Sequence, residues 1–488
     1  MTKEFVLEAL LRHNYFPMQK MHQDEMPPVF SSTGFQPSVA EALDALAPRK
    51  GGYDSVEYRA TRFNLVPRRL SIPHPLPYSR LARRIAENWE HVSYIAGNEV
   101  SVIRPRQHAD GRLIVMDYES SRAKQQRANQ MQFGCRFTAH ADVANCFPSV
   151  YSHAVPWAVV GFAEAKSKQG PAFKDLWFNQ LDIALRATNR NETNGVAVGP
   201  ATSNVLSEAI LARVDEELSE FRFVRFIDDY TAYCHDYNEA ERFIDRLGIE
   251  LGKYRFLLNP VKTRISALPS WDSDWVSGLA LALPHGKGLD PSTAQHYLNH
   301  AVAMSHKVPD ASILKFAVKS LCGRHPDAGV VRSIMPQVLG LAFHRPALLP
   351  AMASLFSKLG CGPGSEYSAH LARIAAEHAR QRRSDGMCWS LHYLNKYGDG
   401  VTDDVANAVV GTQDCSAMAI LGTISPQHLP IIIQFKTTLD GEDAYALDRY
   451  WLLLYQLFRS GSIDNPYPGD KTFGILRDAK VDLIRSGP

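Results

Sequence analysis

The sequence predicts an α/β (α+β) region over residues 1–285, followed by an all-α region over residues 286–488. Two observations predict this division. From residue 136 to about residue 280, apolar segments rich in β-branched residues alternate with segments of helical periodicity. A polar link, PHGKGLDPST, then begins at Pro284, and only helical patterns follow it.

Composition places the chain among ordinary folded proteins. It has 488 residues, of which 45% are hydrophobic and 21% charged, which suggests two to four domains. This excludes an intrinsically disordered chain, a collagen and a coiled-coil rod. Because 53 basic and 51 acidic residues leave a net charge of only +2, the overall charge predicts no partner.

The expected compartment is the cytoplasm. No run approaches about 18 apolar residues, and the mean hydropathy is −0.22, so no membrane partner is expected. The first residues, MTKEFVLEALLRHNYFP, predict a short amphipathic helix and not a signal peptide. The seven cysteines form no C-x-x-C pair, which argues against a disulfide framework or a structural zinc site.

Residues 1–135 are rich in proline and aromatic residues, and the run Arg112–Met116 is β-like. Two segments, Tyr58–Ala86 and Ser121–Arg136, are basic and contain no acidic residue. Their cations are Arg59, Arg62, Arg68, Arg69, Arg80, Arg83, Arg84, Arg122, Lys124, Arg127 and Arg136, and Phe63, Tyr78 and Trp89 lie among or just after them. Such clusters suit a nucleic-acid backbone or triphosphates. A solvated face of an arginine-rich helix is the alternative, and it accounts well for Arg83 and Arg84.

Two segments end in carboxylates after apolar runs. Asp142 closes the run CRFTAHAD, and the segment FVRFIDDYTAY predicts a β-hairpin with Asp228 and Asp229 at its tip. Adjacent carboxylates repel, so a neutralising Mg²⁺ or Mn²⁺ ion is expected. Together the three carboxylates fit a site for two metal ions that catalyses phosphoryl transfer. Taken alone, Asp142 could cap a helix or lie in a turn. An isolated Asp-Asp pair usually lies at an exposed helix N-terminus, as predicted for Asp403–Asp404.

Between these segments lies GVAVGPATSNVLSE. Gly199 and Pro200 predict a turn, and Thr202 or Ser203 can cap a helix that continues through Leu211. A glycine-proline turn lets the backbone approach a nucleotide or a template strand closely. The alternative is a simple start of a helix.

The region beyond residue 286 predicts a series of helices with short Gly, Pro or Asp breaks. They are Ser292–Ser305, Ala311–Cys322, Gly329–Ala342, Ala347–Leu359, Glu366–Arg382, Gly386–Lys396, Thr402–Val410, Gln427–Gln434 and Asp443–Arg459. Each pair occupies roughly 35–40 residues, the period of HEAT-like solenoids. An ordinary all-α bundle remains the alternative, because no sequence motif repeats.

In order and spacing, these segments resemble the reverse transcriptase family: FTAHADVANCF its motif A, GVAVGPATSNVLSE its motif B, FIDDY its motif C and LNPVKTRI its motif D. The resemblance implies fingers and palm over residues 1–285 and two Mg²⁺ or Mn²⁺ ions, held by Asp142, Val143, Asp228 and Asp229. It implies that Lys262 protonates the leaving pyrophosphate or contacts the triphosphate, and that Phe147 lies under the sugar of a dNTP, although a core phenylalanine is the alternative. The further residues expected at the nucleotide are Gly199, Pro200 and Ser203 of the motif B segment, together with Arg122, Lys124 and Arg127 of the basic cluster described above.

A narrower resemblance links the segments NYFP, MPPVFSS, IPHPLPYSRL and FPSVYSHAVPWAV to abortive-infection (Abi) and unclassified-group bacterial reverse transcriptases; MCWSLHYLNK resembles part of their helical domain. It implies phage defence, a helical-repeat domain in place of a thumb, and untemplated, protein-primed synthesis of single-stranded DNA by a homo-oligomer. One alternative is a reverse transcriptase that copies a dedicated noncoding RNA. Another is a scaffold that signals through binding, against which the intact aspartates argue.

Overall fold

The computed structural model describes residues 1–18, 25–62, 66–116, 121–269, 275–283, 288–308, 312–362 and 365–486. Three features named above lie outside the described residues: Phe63, the side chain of Arg122, and the boundary between residues 285 and 286. Within the described residues, no helix is both long enough and apolar enough to cross a membrane.

The first part of the chain forms a two-stranded hairpin and several helices. These elements are α1 (Lys3–Glu8, continued by a π-helix at Ala9–His13), α2 (Pro37–Asp44), β1 (Ser55–Thr61), β2 (Pro67–Pro73), α3 (Pro75–Glu87), α4 (Trp89–Val92), α5 (Tyr94–Gly97) and α6 (Ser121–Gln132). Strands β1 and β2 pair antiparallel, with Thr61 opposite Pro67. The prediction of a β-like run at Arg112–Met116 is wrong. The side-chain oxygen of Asn14 accepts hydrogen bonds from the backbone N–H groups of Leu113 (2.7 Å) and Ile114 (3.2 Å), and no strand pairs there.

The middle of the chain forms a four-stranded antiparallel sheet with the order β4-β5-β3-β6. Its elements are β3 (Phe137–Asp142), α7 (Cys146–Ser149), α8 (Ala154–Val160), α9 (Phe162–Ser167), a 3₁₀-helix (Pro171–Phe173), α10 (Trp177–Ala187), α11 (Ala201–Glu216), β4 (Phe223–Phe226), β5 (Asp229–Cys234), α12 (Tyr237–Lys253) and β6 (Arg264–Ala267). Helix α11 is buried along almost its whole length. Neither Thr202 nor Ser203 caps it, because Pro200 occupies the N-cap position.

Beyond β6 the described chain is helical, as predicted. The helices are α13 (Trp275–Ala282), α14 (Pro291–Lys307), α15 (Ile313–Gly323), α16 (Ala328–His344), α17 (Ala353–Leu359), α18 (Ser368–Arg380), α19 (Ser384–Tyr397), α20 (Asp403–Gly411), α21 (Cys415–Ile424), α22 (Leu429–Thr437), α23 (Ala444–Asp448), α24 (Trp451–Arg459) and α25 (Thr472–Asp478), with 3₁₀-helices at Pro346–Met352 and Pro426–His428. The predicted helix Asp443–Arg459 is two helices. Helices α13, α21 and α25 were not predicted; α21 is buried from Cys415 to Leu421 and therefore has no amphipathic period to detect.

The helical region packs against the outer edge of β1. The N–H of Arg59 donates to the Ser384 hydroxyl (2.9 Å), and the N–H and hydroxyl of Thr61 donate to the Asp385 carboxylate (2.7 and 3.0 Å). Further along, the indole N–H of Trp451 donates to the carbonyl of Ile72 (3.1 Å). These hydrogen bonds pair backbone groups that an edge strand otherwise leaves without a partner. The helical region and the β1–β2 hairpin are therefore packed together around one core.

Asp385 is the group at this interface whose loss we expect to cost most. It is 3% exposed, and it also accepts the N–H of Gly386 (2.8 Å). Asp385→Ala would leave these donors buried and unpaired, so we expect the free energy of unfolding in urea to fall by about 2–4 kcal/mol. Asp404→Ala, on the exposed first turn of α20, is the matched control and should cost about 1 kcal/mol or less. Equal losses in the two variants would contradict this account of the interface.

Candidate active site

Three aspartates meet where the hairpin β4–β5 lies beside the end of β3. Asp142 is the last residue of β3 and pairs with Asp229, the first residue of β5, while Asp228 precedes it in the turn. One carboxylate oxygen from each of the three lies within 4.8 Å of the others. The predicted hairpin with two aspartates at its tip is confirmed, and so is the position of Asp142 at the end of a strand.

The turn that presents Asp228 has an unusual backbone. Ile227 has a φ of +60°, in the left-handed region that a β-branched side chain rarely adopts. Such a conformation costs on the order of 1–3 kcal/mol and persists only where its surroundings enforce it. One constraint is the N–H of Val143, which donates to the carbonyl of Asp228 (3.1 Å) and ties the turn to the residue after Asp142.

Burial and mutual repulsion disfavour the charged forms of Asp228 and Asp229. Burial, followed by the negative charge of Asp142, raises the pKa of Asp228 above its ordinary value. For Asp229, burial and then the charge of Asp228 raise the pKa to about 7. A cation placed among the three carboxylates would relieve both effects, and carboxylate oxygens are the ligands that Mg²⁺ and Mn²⁺ prefer. The site therefore fits divalent metal ions.

Two residues from the segment before β6 contact Asp142. The ammonium group of Lys262 donates to its Oδ2 (2.6 Å), and this hydrogen bond raises the pKa of Lys262. The side-chain amide of Asn259 donates to the other oxygen, Oδ1 (3.0 Å), and the N–H of Asn259 donates to the backbone carbonyl of Asp142 (2.7 Å). Lys262 thus lies at the predicted site. Asn259 was missed, although it lies within the segment LNPVKTRI that predicted Lys262.

Phe147 lies in α7, directly after the loop that follows Asp142, and is 7% exposed. Its backbone carbonyl accepts the N–H of Val196 (3.0 Å), which fixes it to the segment that leads into the Gly199–Pro200 turn. Such a side chain can form the floor of a nucleotide site, but it can equally belong to the core. Its contact with a sugar stays a prediction.

The Gly199–Pro200 turn packs between the N-terminal segment and β2. Gly199 has a φ of +125°, and a Cβ there would lie 2.3 Å from the Cβ of Pro17. The close approach that requires glycine is therefore the approach of Pro17. On the side of β2, the carbonyl of Val198 accepts the N–H of Ser71 (2.9 Å). Pro200 is buried and Ser203 is 2% exposed, so their contact with a nucleotide stays a prediction.

The structure divides the basic run of residues 58–86. Arg80, Arg83 and Arg84 of α3 surround Asp44, with N–O distances of 3.3–3.5 Å, so ion pairing within the fold accounts for them. Arg68 of β2 is different. Its charge acts on Asp228 and lowers the pKa of that carboxyl against the larger effects of burial and Asp142. The hairpin β1–β2 thus brings one cation of the predicted cluster toward the aspartates.

The cations of α6 lie elsewhere. Lys124 is exposed, and Arg127 is close enough to Tyr233 to act on its hydroxyl. Tyr233 pairs with Thr138, near the start of β3, at the end of the sheet away from Asp142 and Asp229. The structure therefore does not bring Arg127 to the carboxylates, and a nucleotide contact from Lys124, Arg127 or Arg122 stays a prediction.

Residues 78–307, which include all three aspartates and Lys262, match the family described as reverse transcriptase (RNA-dependent DNA polymerase). This segment is a reverse transcriptase domain. The protein is accordingly an enzyme of the nucleotidyltransferase class. No curated protein sequence matches the chain significantly.

Solved structures similar to the reverse transcriptase domain and its surroundings include telomerases. Telomerase from Candida tropicalis with a TWJ fragment of telomeric RNA is 10% identical, with a TM-score of 0.32, and the similarity covers 70% of this chain and 65% of that chain. The Candida albicans counterpart is 12% identical, with a TM-score of 0.31 and coverage of 83% and 66%. Apo telomerase from Candida tropicalis is 9% identical, with a TM-score of 0.32 and coverage of 90% and 75%. This chain thus spans just under two thirds of the first two telomerase chains, and similarity at this level does not extend to function.

The raised pKa of Asp229 predicts how stability depends on pH without metal. A carboxyl whose folded-state pKa lies above its ordinary value of 3.8 loses its contribution to stability as the pH rises from that value through about 7. Asp229→Asn should therefore raise the melting temperature of the metal-free protein at pH 8 by roughly 1–2 °C and change it little at pH 4. Differential scanning fluorimetry in EDTA measures this. Added Mg²⁺ should stabilise the parent protein more than the variant at pH 8, and equal responses would contradict a metal site that includes Asp229.

Proposed function

We propose that this protein is an antiphage DNA polymerase of the reverse transcriptase type, which adds dNTPs to a 3′-hydroxyl group without a nucleic-acid template. The observation that carries the polymerase assignment is the convergence of Asp142, Asp228 and Asp229 within 4.8 Å inside a reverse transcriptase domain. A binding scaffold has no need to hold three repelling carboxylates together, whereas nucleotidyl transfer with divalent metal ions does.

Asp142, Asp228 and Asp229, with the backbone of Val143, would hold two Mg²⁺ or Mn²⁺ ions. Such ions activate the attacking hydroxyl and stabilise charge on the leaving group. In the transfer, the 3′-oxygen forms a bond to the α-phosphorus, the bond from that phosphorus to the pyrophosphate oxygen breaks, and the hydroxyl proton passes to solvent. Lys262, already charged at Asp142, donates a proton to the departing pyrophosphate and regains one from water.

The fingers hairpin supplies the contact to the substrate. The charge of Arg68 influences the ionisation of Asp228, which suits a cation that binds the triphosphate of a dNTP. Phe147, whose backbone carbonyl accepts the N–H of Val196, would exclude a 2′-hydroxyl by its ring and so select deoxynucleotides.

The priming and defence roles rest on the resemblance to Abi reverse transcriptases and on the position of the helical region. We propose that this region, an irregular HEAT-like array, replaces a conventional thumb, because it packs on β1 and continues directly from the palm. A helical array there could guide a single strand whose first nucleotide is attached to a tyrosine of the protein. A homo-oligomer and an intracellular site of action belong to the same proposal.

The catalytic part is tested by Asp228→Ala with Asp229→Ala. Because this double variant removes two metal ligands, dNTP incorporation should fall by at least about 100-fold, while circular dichroism shows an intact fold. Asp403→Ala with Asp404→Ala, a second adjacent pair at an exposed helix start, is the matched control and should retain activity. Undiminished synthesis in the first variant would remove the assignment.

The priming part is tested by incubating purified protein, treated with RNase, with labelled dNTPs and Mn²⁺ and then separating it under denaturing conditions. We expect label to stay on the protein, on a species that DNase shortens and protease collapses. Label that leaves the protein on denaturation would exclude self-priming. Synthesis that occurs only with a co-purified RNA would support the templated alternative, a polymerase that copies a noncoding RNA.

A further inference from the structure

Arg225 of β4 lies beneath the catalytic turn and is completely buried. Its guanidinium is bound by two carboxylates of α11. Nε donates to Asp215 Oδ2 (2.9 Å), NH2 donates to Asp215 Oδ2 (2.6 Å) and Glu208 Oε1 (2.8 Å), and NH1 donates to Glu208 Oε2 (2.8 Å). The two carboxylates hold the planar fork in one orientation.

The remaining bond of this guanidinium reaches the catalytic turn. NH1 also donates to the backbone carbonyl of Ile227 (2.8 Å). Ile227 is the β-branched residue with a φ of +60°, and it immediately precedes Asp228. The side chain of Arg225 therefore contacts the strained peptide that aims the two hairpin aspartates.

The arginine is itself held firmly on its other sides. Its N–H donates to the carbonyl of Val100 (2.8 Å), and its carbonyl accepts the N–H of Val102 (2.9 Å). The amide of Asn98 donates to Asp215 Oδ2 (2.7 Å), which fixes the carboxylate that binds the guanidinium. Segment 98–102 and helix α11 thus anchor Arg225 from two directions.

We propose that Arg225 is a positioning residue for the metal site: its bond to Ile227 holds the turn in the left-handed conformation and so keeps Asp228 and Asp229 where metal ions bind. This inference rests on the proposed function, because it concerns the same carboxylates. Its rival is a purely structural role, in which the buried charges stabilise the fold and have no particular effect on the metal site.

The test is Arg225→Lys, which keeps the positive charge but cannot reach both carboxylates and the carbonyl with a planar fork. Mn²⁺ binding is followed by electron paramagnetic resonance at a temperature where the variant is folded, so the readout does not depend on catalysis. We expect the dissociation constant for Mn²⁺ to rise about 10- to 100-fold, the usual cost of losing a group that orients metal ligands. Arg213→Lys is the matched control. Arg213 also lies on the palm and binds a carboxylate and a carbonyl, of Glu216 and Ala158, and its variant should bind Mn²⁺ as the parent protein does.

A second variant separates positioning from stability. Ile227→Gly removes the energetic penalty of the left-handed backbone, so the turn depends less on the hydrogen bond from Arg225 to the carbonyl of residue 227. Where Arg225→Lys folds, the double variant Arg225→Lys with Ile227→Gly should recover at least about 5-fold of the lost Mn²⁺ affinity. Where Arg225→Lys alone does not fold, the double variant should fold and bind Mn²⁺.

Three results would overturn the inference while leaving the polymerase assignment intact. They are parent-like Mn²⁺ affinity in folded Arg225→Lys, an unrescued loss in the double variant, and a double variant that does not fold. A different result would overturn the proposed function itself: equal Mn²⁺ binding by the parent protein and by the Asp228→Ala, Asp229→Ala variant.

Discussion

Asp142, Asp228 and Asp229 carry like charges within 4.8 Å of one another, and the folded chain must hold them there against their repulsion. The four-stranded sheet holds them in place. The ladder between β3 and β5 places Asp142 opposite Asp229, and the bond from Val143 to the Asp228 carbonyl closes the turn onto β3. Burial, and then the charge of a neighbouring aspartate, raises the pKa of Asp228 and Asp229, so the site favours binding of divalent cations.

The cations around this site act on it in three different ways. Lys262 contacts Asp142 directly, and the charge of Arg68, on the β1–β2 hairpin, influences Asp228. Arg225 acts from beneath, through the backbone of Ile227. The first two act on the carboxylates themselves, whereas the guanidinium of Arg225 is buried and paired with Glu208 and Asp215.

The helical region is bound into the rest of the molecule by polar contacts as well as by apolar packing. Asp54, just before β1, accepts hydrogen bonds from Arg190, in the loop between α10 and α11 (2.9 Å), and from Arg449 near the end of the chain (3.2 Å). Asp448 accepts the N–H of Asp54 (2.9 Å) and pairs with Arg49. The segment before β1, the loop between α10 and α11, and the helical region therefore meet at one charged junction. A partner or a strand of nucleic acid that displaced the helical region would have to break it.

The sequence by itself determined the elements whose signals are local. Alternating apolar residues around two aspartates specify the hairpin β4–β5, because strand period and turn chemistry act within about ten residues. Asp142 was identified at the end of its strand for the same reason, and the helical character of the second half follows from its periodicity and breaks. Order and spacing of these segments also identified the reverse transcriptase domain that residues 78–307 match.

Only the tertiary structure decided which residues of the same type act on the carboxylates and which are paired elsewhere. The sequence offered a helix-face alternative for Arg83 and Arg84. Nothing local distinguishes Arg68, whose charge acts on Asp228, from Arg80, which pairs with Asp44, because the difference lies in what packs opposite each one. Asn259 and Arg225 were missed because their partners are distant in sequence or hidden in a helix. Helix α21 was not predicted because burial on every side removes the amphipathic period. The prediction of a β-like run at Arg112–Met116 was wrong because the side chain of Asn14 binds the backbone of that segment where a strand would have had a neighbouring strand. The local sequence pattern determines the helices and strands, but long-range packing determines which charged side chains pair within the fold and which lie at the candidate active site.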